Sequence, residues 1–461
     1  MKLTTNGIEI DKTNELIQEY TKKCTFRTTP NYITGKIVVI KAFKCSRNHV
    51  YVPKFTECKE PVENTLETIA IDNCKDSSIV LRPNQVEIYN AITEKINTIN
   101  GCVLSVPCGV GKTVLGIKLI SDLKVKTLII VHKDFLMKQW KESIEQFVPG
   151  IKVGIIKQKD VDTDSPIVIA SLQTLMNNVE LTKKLKFSLL IVDECHHMAS
   201  KEFSKVLLNL KTSKYTLGLS ATPEREDHCE NLFYSFLGPL VRYDTSSENI
   251  KPIVLHPIYT VCQGFNILTK TVMGKCTLDI VGMVSALANN KRRTGLIFSL
   301  LKGMKNENRQ IVVLSERIQL LDNLAELLEQ NKMAFSKCYN GKQEYLPMGN
   351  GILLASYSMA SEGLNILDLD TLILATPLAS RTKLVQSIGR IQRGDTKNEK
   401  TIIDIIDPIL TNQFKKRSKI YAEFTNIRTE FDTIVDIDNK TINIKNKLLP
   451  MYKPVDTQCL F

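Results

Sequence analysis

The fold of this chain is decided by one stretch, Leu104-Ser105-Val106-Pro107-Cys108-Gly109-Val110-Gly111-Lys112-Thr113. An apolar run over residues 102–106 predicts a buried strand, and apolar residues between 115 and 120 predict one face of a following helix. Between them, Gly109 and Gly111 allow the backbone to fold closely around an anion, with its amides directed inward at the helix N-terminus. The stretch therefore predicts a strand, a glycine loop and a helix that together bind phosphate.

Two side chains at the end of this stretch fit a bound nucleoside triphosphate. The Lys112 ammonium can reach the β- and γ-phosphates, and the Thr113 hydroxyl can hold Mg²⁺. The strict pattern has glycine where this chain has Val106, so an incidental glycine turn is the alternative. The spacing of the other residues favours phosphate binding.

The overall composition is that of a globular protein with a basic surface. At 461 residues the chain has room for about three domains of ~150 residues each. A net charge of +12 favours a polyanionic partner, most simply nucleic acid, although a solvated lysine-rich surface is the alternative. Twelve cysteines without a C-x-x-C pair argue against a zinc module and a dense disulfide framework. With no signal-peptide core and no apolar run near ~20 residues, we expect no membrane partner and a reducing compartment, cytosol or nucleus.

Strand and helix patterns divide the chain into five segments. Residues 1–77 predict a small β-rich N-terminal module, and residues 78–240 alternate strand and helix as a parallel α/β lobe does. Residues 241–289 are less regular and are interpreted as a connector, with some strand content between Val241 and Gly274. A second alternating α/β lobe is predicted at 290–410. Residues 411–461 form a tail whose helical part is basic, with Lys415, Lys416, Arg417 and Lys419.

The N-terminal module contains a stretch without acidic residues, 22–56, in which basic and aromatic residues are interleaved. Such a pattern suits a surface that binds nucleic acid. The alternative is that the aromatic residues form a small β core and the basic residues only solvate it. The sequence leaves both interpretations open. The basic residues are Lys22, Lys23, Arg27, Lys36, Lys41, Lys44, Arg47 and Lys54.

A second group of polar residues, Asp193-Glu194-Cys195-His196-His197, directly follows the apolar run 189–192. A carboxylate at the carboxyl end of a parallel strand lies where such sheets bind ligands. Asp193 can hold Mg²⁺ and Glu194 can polarise the attacking water. The alternatives are a metal site or a polar turn, but adjacent Cys195, His196 and His197 cannot all turn toward one ion. Together with the glycine loop, the group predicts nucleotide hydrolysis.

Two further motifs follow strand ends or lie in the second lobe. Ser220-Ala221-Thr222 ends a predicted strand and precedes Pro223. In the second lobe, the segment 386–393 contains Gln386, Arg390 and Arg393. The two arginines are three residues apart, which places them on one face if the segment is helical. Guanidinium groups on a separate lobe suit the role of arginine fingers, whereas an exposed basic helix turn is the alternative.

In the order and spacing of these motifs, residues 81–407 resemble a superfamily 2 helicase of the DExH type. Residues 81–85, ending in Gln85, resemble the adenine-reading Q motif. The resemblance makes 107–113 motif I, 193–197 motif II, 220–222 motif III, 358–365 motif V and 386–393 motif VI. Pro107-Cys108-Gly109, together with Arg225, Glu226 and Asp227, resembles the branch that includes the large helicase subunit of TFIIH and the transcript-release helicases of large DNA viruses.

The resemblance implies two RecA-like lobes with ATP and Mg²⁺ between them. It places Gln85 on adenine, and Gln386, Arg390 and Arg393 on the nucleotide when the lobes close. It implies that His197 couples hydrolysis to lobe motion, and that Asn365 replaces a more usual Asp near Gly363 in motif V. The nucleotide-binding residues are Pro107, Cys108, Gly109, Val110, Gly111, Lys112 and Thr113. The coupling and DNA-contacting residues are His197, Ser220, Thr222, Arg225, Glu226, Asp227, Gly363 and the segment 171–174.

We therefore expect an ATP-dependent DNA helicase or translocase that moves along or unwinds duplex DNA, in viral transcription or replication. Its partners are DNA, or RNA in the alternative, and proteins of transcription or replication. The expected location is the cytosol or the nucleus and, for a viral protein, also the virion or the viral factory. The alternatives are an RNA helicase, a non-unwinding nucleic-acid scaffold and a P-loop kinase, which would have no use for Arg390 and Arg393.

Overall fold

The computed structural model describes fifteen parts of the chain and divides it into two compact units, Met1–Thr245 and Ser246–Phe461. The described residues are 1–29, 37–71, 76–107, 109–200, 202–223, 228–243, 251–261, 266–272, 275–304, 307–340, 351–362, 369–392, 397–430, 432–438 and 441–445. Cys108, Arg225, Glu226, Asp227, Gly363, Asn365 and Arg393 lie outside them.

The first unit begins with a small five-stranded sheet in the order β5-β6-β2-β1-β7. Strands β3 and β4 pair separately. These elements are β1 (Lys2–Thr4), β2 (Gly7–Asp11), α1 (Ile17–Lys23), β3 (Thr25–Arg27), β4 (Val39–Lys41), β5 (Lys44–Cys45), β6 (His49–Val52) and β7 (Glu63–Asn64).

An eight-stranded sheet follows in the same unit, in the order β11-β10-β12-β9-β13-β14-β8-β15. All its pairings are parallel except β10 with β11. Its strands are β8 (Gly101–Ser105), β9 (Thr127–Val131), β10 (Val153–Lys157), β11 (Asp160–Val161), β12 (Ile167–Ser171), β13 (Leu189–Asp193), β14 (Tyr215–Ser220) and β15 (Leu240–Arg242). The helices of this lobe are α2 (Pro83–Ile99), α3 (Lys112–Leu123), α4 (Asp134–Phe147), α5 (Leu172–Asn177), α6 (Val179–Lys184), α7 (Ser204–Asn209) and α8 (Glu230–Leu237).

Every residue of the central strands β8, β9, β12 and β13 is buried. This follows from their apolar composition, because a parallel sheet covered by helices on both faces has no solvent-facing side. The parallel order also brings the carboxyl ends of β8, β13 and β14 to one edge, where polar residues follow each strand. The predicted parallel α/β lobe is thereby confirmed.

The N-terminal module shares a hydrophobic core with this lobe. Leu3, Ile8 and Tyr20 of the module belong to the same buried cluster as Val103 and Phe233 of the lobe. Phe26 and Phe43, from the stretch without acidic residues, pack partly buried against that cluster. Part of the aromatic pattern therefore belongs to a β core.

Lys54 joins the module to the lobe through its ammonium group. Lys54 Nζ donates hydrogen bonds to the carbonyl oxygens of Asn100, at 2.9 Å, and Lys214, at 2.5 Å. Burial lowers the pKa of Lys54 to about 7. This lysine of the acid-free stretch therefore has a structural role.

The second unit contains a sheet in the order β20-β21-β19-β22-β23-β16-β25-β26, with β24 beside β16 and the pair β17-β18 apart from it. Its strands are β16 (Ile253–Val261), β17 (Thr269–Val272), β18 (Lys275–Leu278), β19 (Gln310–Ser315), β20 (Phe335–Cys338), β21 (Gly351–Ser356), β22 (Thr371–Leu374), β23 (Lys400–Ile406), β24 (Ile427–Thr429), β25 (Asp432–Asp436) and β26 (Thr441–Lys445). Its helices are α9 (Ile280–Asn289), α10 (Lys291–Gly303), α11 (Ile318–Gln330), α12 (Tyr357–Glu362), α13 (Arg381–Ile391) and α14 (Thr411–Tyr421).

Two segments of the second unit add detail to the sequence-based expectation. Residues 253–261, within the expected connector, form the long strand β16, which pairs with β23 from Ile253 to Tyr259. The strand content expected in this stretch is therefore present, as one strand of the second unit's sheet. In the expected basic tail, Arg417 is buried and its guanidinium makes two 2.8 Å hydrogen bonds to the Asp404 carboxylate. Arg417 therefore does not belong to an exposed basic patch.

The fold class is confirmed: two RecA-like α/β lobes follow a small β-rich N-terminal module. Among the described helices, none is both long and apolar enough to span a membrane.

Candidate active site

The glycine loop connects β8 to α3 as its sequence predicts. Gly109 and Gly111 have φ of 93° and 97°, in the left-handed region that favours glycine. A Cβ added at Gly111 would lie 2.6 Å from Gln85 Nε2, so a side chain there would displace its neighbour. Lys112 and Thr113 start α3 directly after the second glycine. The loop therefore places Lys112 and the free backbone amides of a helix N-terminus directly after the second glycine, where anions bind.

Gln85 lies beneath this loop, 2 % exposed. Its Oε1 accepts a 2.9 Å hydrogen bond from the Arg82 backbone N–H, and its Nε2 donates a 2.8 Å bond to the Val110 carbonyl. Helix α2 begins at Pro83, which places Gln85 in its first turn. Gln85 thus connects the start of α2 to the glycine loop, and its contact with adenine stays a prediction.

Asp193 ends β13 and is held at both carboxylate oxygens. Oδ1 accepts a 3.0 Å hydrogen bond from the Glu194 backbone N–H, and Oδ2 accepts a 2.9 Å bond from Trp140 Nε1. Trp140, on α4, is fully buried. Burial and the neighbouring Glu194 charge raise the pKa of Asp193, while Trp140 and Lys112 act in the opposite direction. The contact with Trp140 was missed from the sequence because the two residues are far apart in the chain.

Glu194 follows in a left-handed backbone conformation, with φ of 47°. This is uncommon for a residue with a side chain and occurs at sites where the surrounding structure imposes it. Its Oε2 lies 3.4 Å from His196 Nδ1. Burial alone would raise the pKa of Glu194, but the interaction with His196 and the charge of Lys112 lower it. Lys112 therefore acts electrostatically on both carboxylates of motif II.

The two histidines of motif II have different neighbours. His196 Nδ1 lies 3.0 Å from Ser220 Oγ, so His196 contacts motif III as well as Glu194. The His197 ring instead stacks on His132 and His196, with centroid distances of 4.1 and 4.2 Å. His196 therefore joins motif II to motif III, and the coupling role of His197 stays a prediction. The sequence alone could not show which of the two adjacent histidines contacts Ser220, because that contact depends on the fold.

Motif III begins at Ser220, the last residue of β14, and is closed by a local hydrogen bond. The Thr222 backbone N–H donates to Ser220 Oγ at 3.2 Å, and both residues are buried. The Ser220 hydroxyl therefore touches both His196 and Thr222. Arg225, Glu226 and Asp227 follow outside the described residues, so their roles stay predictions.

In the second unit, helix α13 carries Gln386 and Arg390, both buried. Arg390 Nε donates a 2.8 Å hydrogen bond to the Ala360 carbonyl of α12. This bond holds the Nε side of the Arg390 guanidinium group against α12 within the second lobe. The contact of Gln386 and Arg390 with nucleotide stays a prediction.

The described residues of the first lobe fit ATP and Mg²⁺. Gly109 and Gly111 have left-handed φ directly before the start of α3, and the Gln85 side chain packs so closely on Gly111 that a Cβ there has no room. The acidic residues Asp193 and Glu194 lie at the carboxyl edge of the same sheet, under the electrostatic influence of Lys112. An anion-binding loop beside paired carboxylates is the donor set that a magnesium nucleotide requires.

Comparison with known proteins gives the same family. Residues 78–225 match a family described as "Type III restriction enzyme, res subunit". A protein of Acanthamoeba polyphaga mimivirus, whose name assigns it as an ATP-dependent RNA helicase, is 34% identical over 74% of this chain and 66% of its own length. This chain thus spans about two thirds of that relative.

Two other relatives widen the comparison. A protein of Invertebrate iridescent virus 6, assigned by its name as a helicase, is 28% identical over 74% of this chain and 81% of its own length. A protein of Sulfurisphaera tokodaii named DNA 3'-5' translocase XPB2 is 35% identical over 41% of each chain. On the motifs, the two lobes and these similarities, the chain belongs to the superfamily 2 helicases and resembles XPB-type translocases and viral helicases.

Proposed function

We propose that this chain uses ATP hydrolysis to move along or unwind duplex DNA. The observation that carries the proposal is the position of Lys112, Asp193 and Glu194 at the carboxyl edge of one parallel sheet, where the charge of Lys112 acts on both carboxylates. His196 connects Glu194 to Ser220. Bound MgATP would supply the phosphoanhydride bond whose cleavage drives the movement.

Each residue of the first lobe has a role that follows from its position. Lys112 and the amides at the start of α3 bind the phosphates, and Thr113 and Asp193 would hold Mg²⁺. Glu194, kept ionised by His196 and Lys112, orients the attacking water and accepts its proton. Because Ser220 touches His196, a change at the carboxylate can reach motif III through one side chain.

The DNA assignment is supported by the relative named as a DNA translocase, and RNA is the second candidate because the mimivirus relative is named as an RNA helicase. The viral organisms of two relatives support a setting in viral transcription or replication. The proposed location is therefore the host cytosol or nucleus, a viral factory or the virion.

The test compares ATPase rates with single-stranded DNA, duplex DNA and RNA of one sequence, followed by strand displacement on tailed duplexes. We expect stimulation by DNA and displacement or translocation that requires ATP. Stimulation by RNA alone would establish the second candidate. A protein that binds nucleic acid without any ATP-dependent movement would be a scaffold, and the proposal would be wrong.

A further inference from the structure

A cavity of about 430 Å³ lies between the N-terminal module and the first lobe, within one compact unit. We call it the four-lysine pocket. Phe43 and Asn6 of the module lie on its wall. Its volume falls in the range of cavities that bind ligands. Its basic lining residues are Lys44, Lys183, Lys205 and Lys211.

The four-lysine pocket is separate from the glycine loop. Lys183 lies at the end of α6, shortly before β13 begins, and Lys211 lies between α7 and the start of β14. Both therefore lie near the amino ends of parallel strands. The glycine loop and Asp193 lie at the carboxyl ends of the same sheet. A ligand in this pocket would therefore not occupy the ATP site.

The charge in the pocket is only partly balanced. Lys183 pairs with Glu180 at 2.9 Å, and Lys205 pairs with Glu202. Among the residues that the structure describes, no carboxylate lies within ion-pair distance of Lys44 or Lys211. Lys211 Nζ donates a 3.2 Å hydrogen bond to the neutral Asn6 side chain instead. Within the described ranges, the charges of Lys44 and Lys211 are therefore not balanced by a carboxylate.

The lysines also repel one another. Lys44 is half-buried, and burial, followed by the charges of Lys211 and Lys183, lowers its pKa. An anion between these ammonium groups would remove the repulsion and stabilise the charged form of Lys44. Because lysine acts as a point charge without fixed planar geometry, the cluster suits phosphate oxygens.

We propose that the four-lysine pocket binds backbone phosphates of a nucleic-acid strand, as a second binding surface remote from the ATP site. This rests on the proposed function, since it assumes that the chain acts on nucleic acid. Binding of phosphates by lysine is independent of sequence, as a translocating protein requires. Lys54 of the acid-free stretch takes no part, because its ammonium is bound by two carbonyl groups.

The test is Lys44→Met with Lys211→Met in the full chain, because methionine keeps much of the apolar stem and removes the charge. The control is Lys138→Met with Lys141→Met on α4, whose side chains are exposed and whose replacement changes the net charge equally. Binding of a fluorescein-labelled duplex and of single strands is followed by anisotropy over a series of KCl concentrations.

We expect the pocket variant to bind more weakly and to flatten the slope of log affinity against log salt by about 1.4–1.8, or ~0.7–0.9 for each phosphate that a lysine no longer neutralises. The control should retain the wild-type slope. Equal slopes in the pocket variant and in wild type, or an equal flattening in the control, would overturn the proposal. If wild type binds nucleic acid but the slopes are equal, only the pocket proposal fails. If wild type binds no nucleic acid at all, the proposed function fails too, so the two failures can be told apart.

Free phosphate has the same chemistry, so calorimetry with inorganic phosphate alone forms a second arm. Phosphate binding that the pocket variant abolishes, with an unchanged nucleic-acid salt slope, would make this a small-anion site and contradict the proposal. Thermal melting checks the fold of each variant. If Lys44→Met with Lys211→Met unfolds, Lys211→Met alone makes the same test, with an expected flattening of ~0.7–0.9 for one phosphate.

Discussion

Trp140 Nε1 donates a 2.9 Å hydrogen bond to Asp193 Oδ2, so a buried indole on α4 fixes the carboxylate that ends β13. Gly116 on α3 makes room for this indole, since a Cβ there would lie 2.9 Å from Trp140 Cη2. Glycine inside a helix costs about 1 kcal/mol relative to alanine, and this contact explains its presence. Trp140 is thus a positioning residue for the carboxylate expected to hold Mg²⁺.

Trp140→Phe should lower the ATPase kcat by roughly 10-fold to 100-fold, because a hydrogen bond to a charged group is worth about 1.5–3 kcal/mol and phenylalanine keeps most of the ring volume. The KM for ATP should change little while the requirement for Mg²⁺ rises. Steady-state kinetics at varied ATP and Mg²⁺ measure both. A lower melting temperature with unchanged kcat and Mg²⁺ dependence would show that Trp140 serves packing alone.

His196→Ala and His197→Ala should have different effects, because His196 contacts Glu194 and Ser220 whereas His197 stacks on His132. We expect His196→Ala to lose most nucleic-acid stimulation of the ATPase, about 10-fold or more, and His197→Ala to lose less. The comparison is the stimulated over the basal rate. A larger loss in His197→Ala would assign the coupling role to His197.

Lys54 should make stability depend on pH. Its pKa is lowered to about 7 in the folded chain, against an ordinary value of 10.5. Between these values the unfolded chain binds more protons, so stability should rise as pH increases from about 7 toward 10. Lys54→Met should lack this rise, whose size is at most a few kcal/mol. Denaturant unfolding of both proteins across this range measures the difference. Parallel pH profiles would exclude this role for Lys54.

Arg390 should act on ATP turnover and not on the folding of its own lobe. Arg390→Ala is expected to keep much of its affinity for nucleotide and to lose roughly 10³-fold in kcat, the usual contribution of an arginine finger. Arg381→Ala is the matched control, because Arg381 lies on the same helix but is exposed and pairs with Glu423. Unchanged turnover in Arg390→Ala would mean that the bond to Ala360 is the residue's main role.

The lobes and the glycine loop could be predicted from the sequence because their signals are local. Buried parallel strands give apolar runs, and Gly109 and Gly111 give a fixed spacing before Lys112. The contacts of Trp140 with Asp193 and of His196 with Ser220 could not be predicted from the sequence, because only the sheet order brings these residues together. The sequence predicted strand content in residues 241–274, but the pairing of β16 with β23 depends on the sheet order. Arg417 looks the same in the sequence whether it is exposed or paired with buried Asp404.

The most direct test of the central claim is ATP hydrolysis at saturating nucleic acid by wild type, Lys112→Ala and Glu194→Gln. Wild type should show Mg²⁺-dependent hydrolysis that nucleic acid stimulates. Both variants should fall by about 10²-fold or more, because one removes the cation at the phosphates and the other the base. Hydrolysis by Lys112→Ala at the wild-type rate would contradict the assignment of this site.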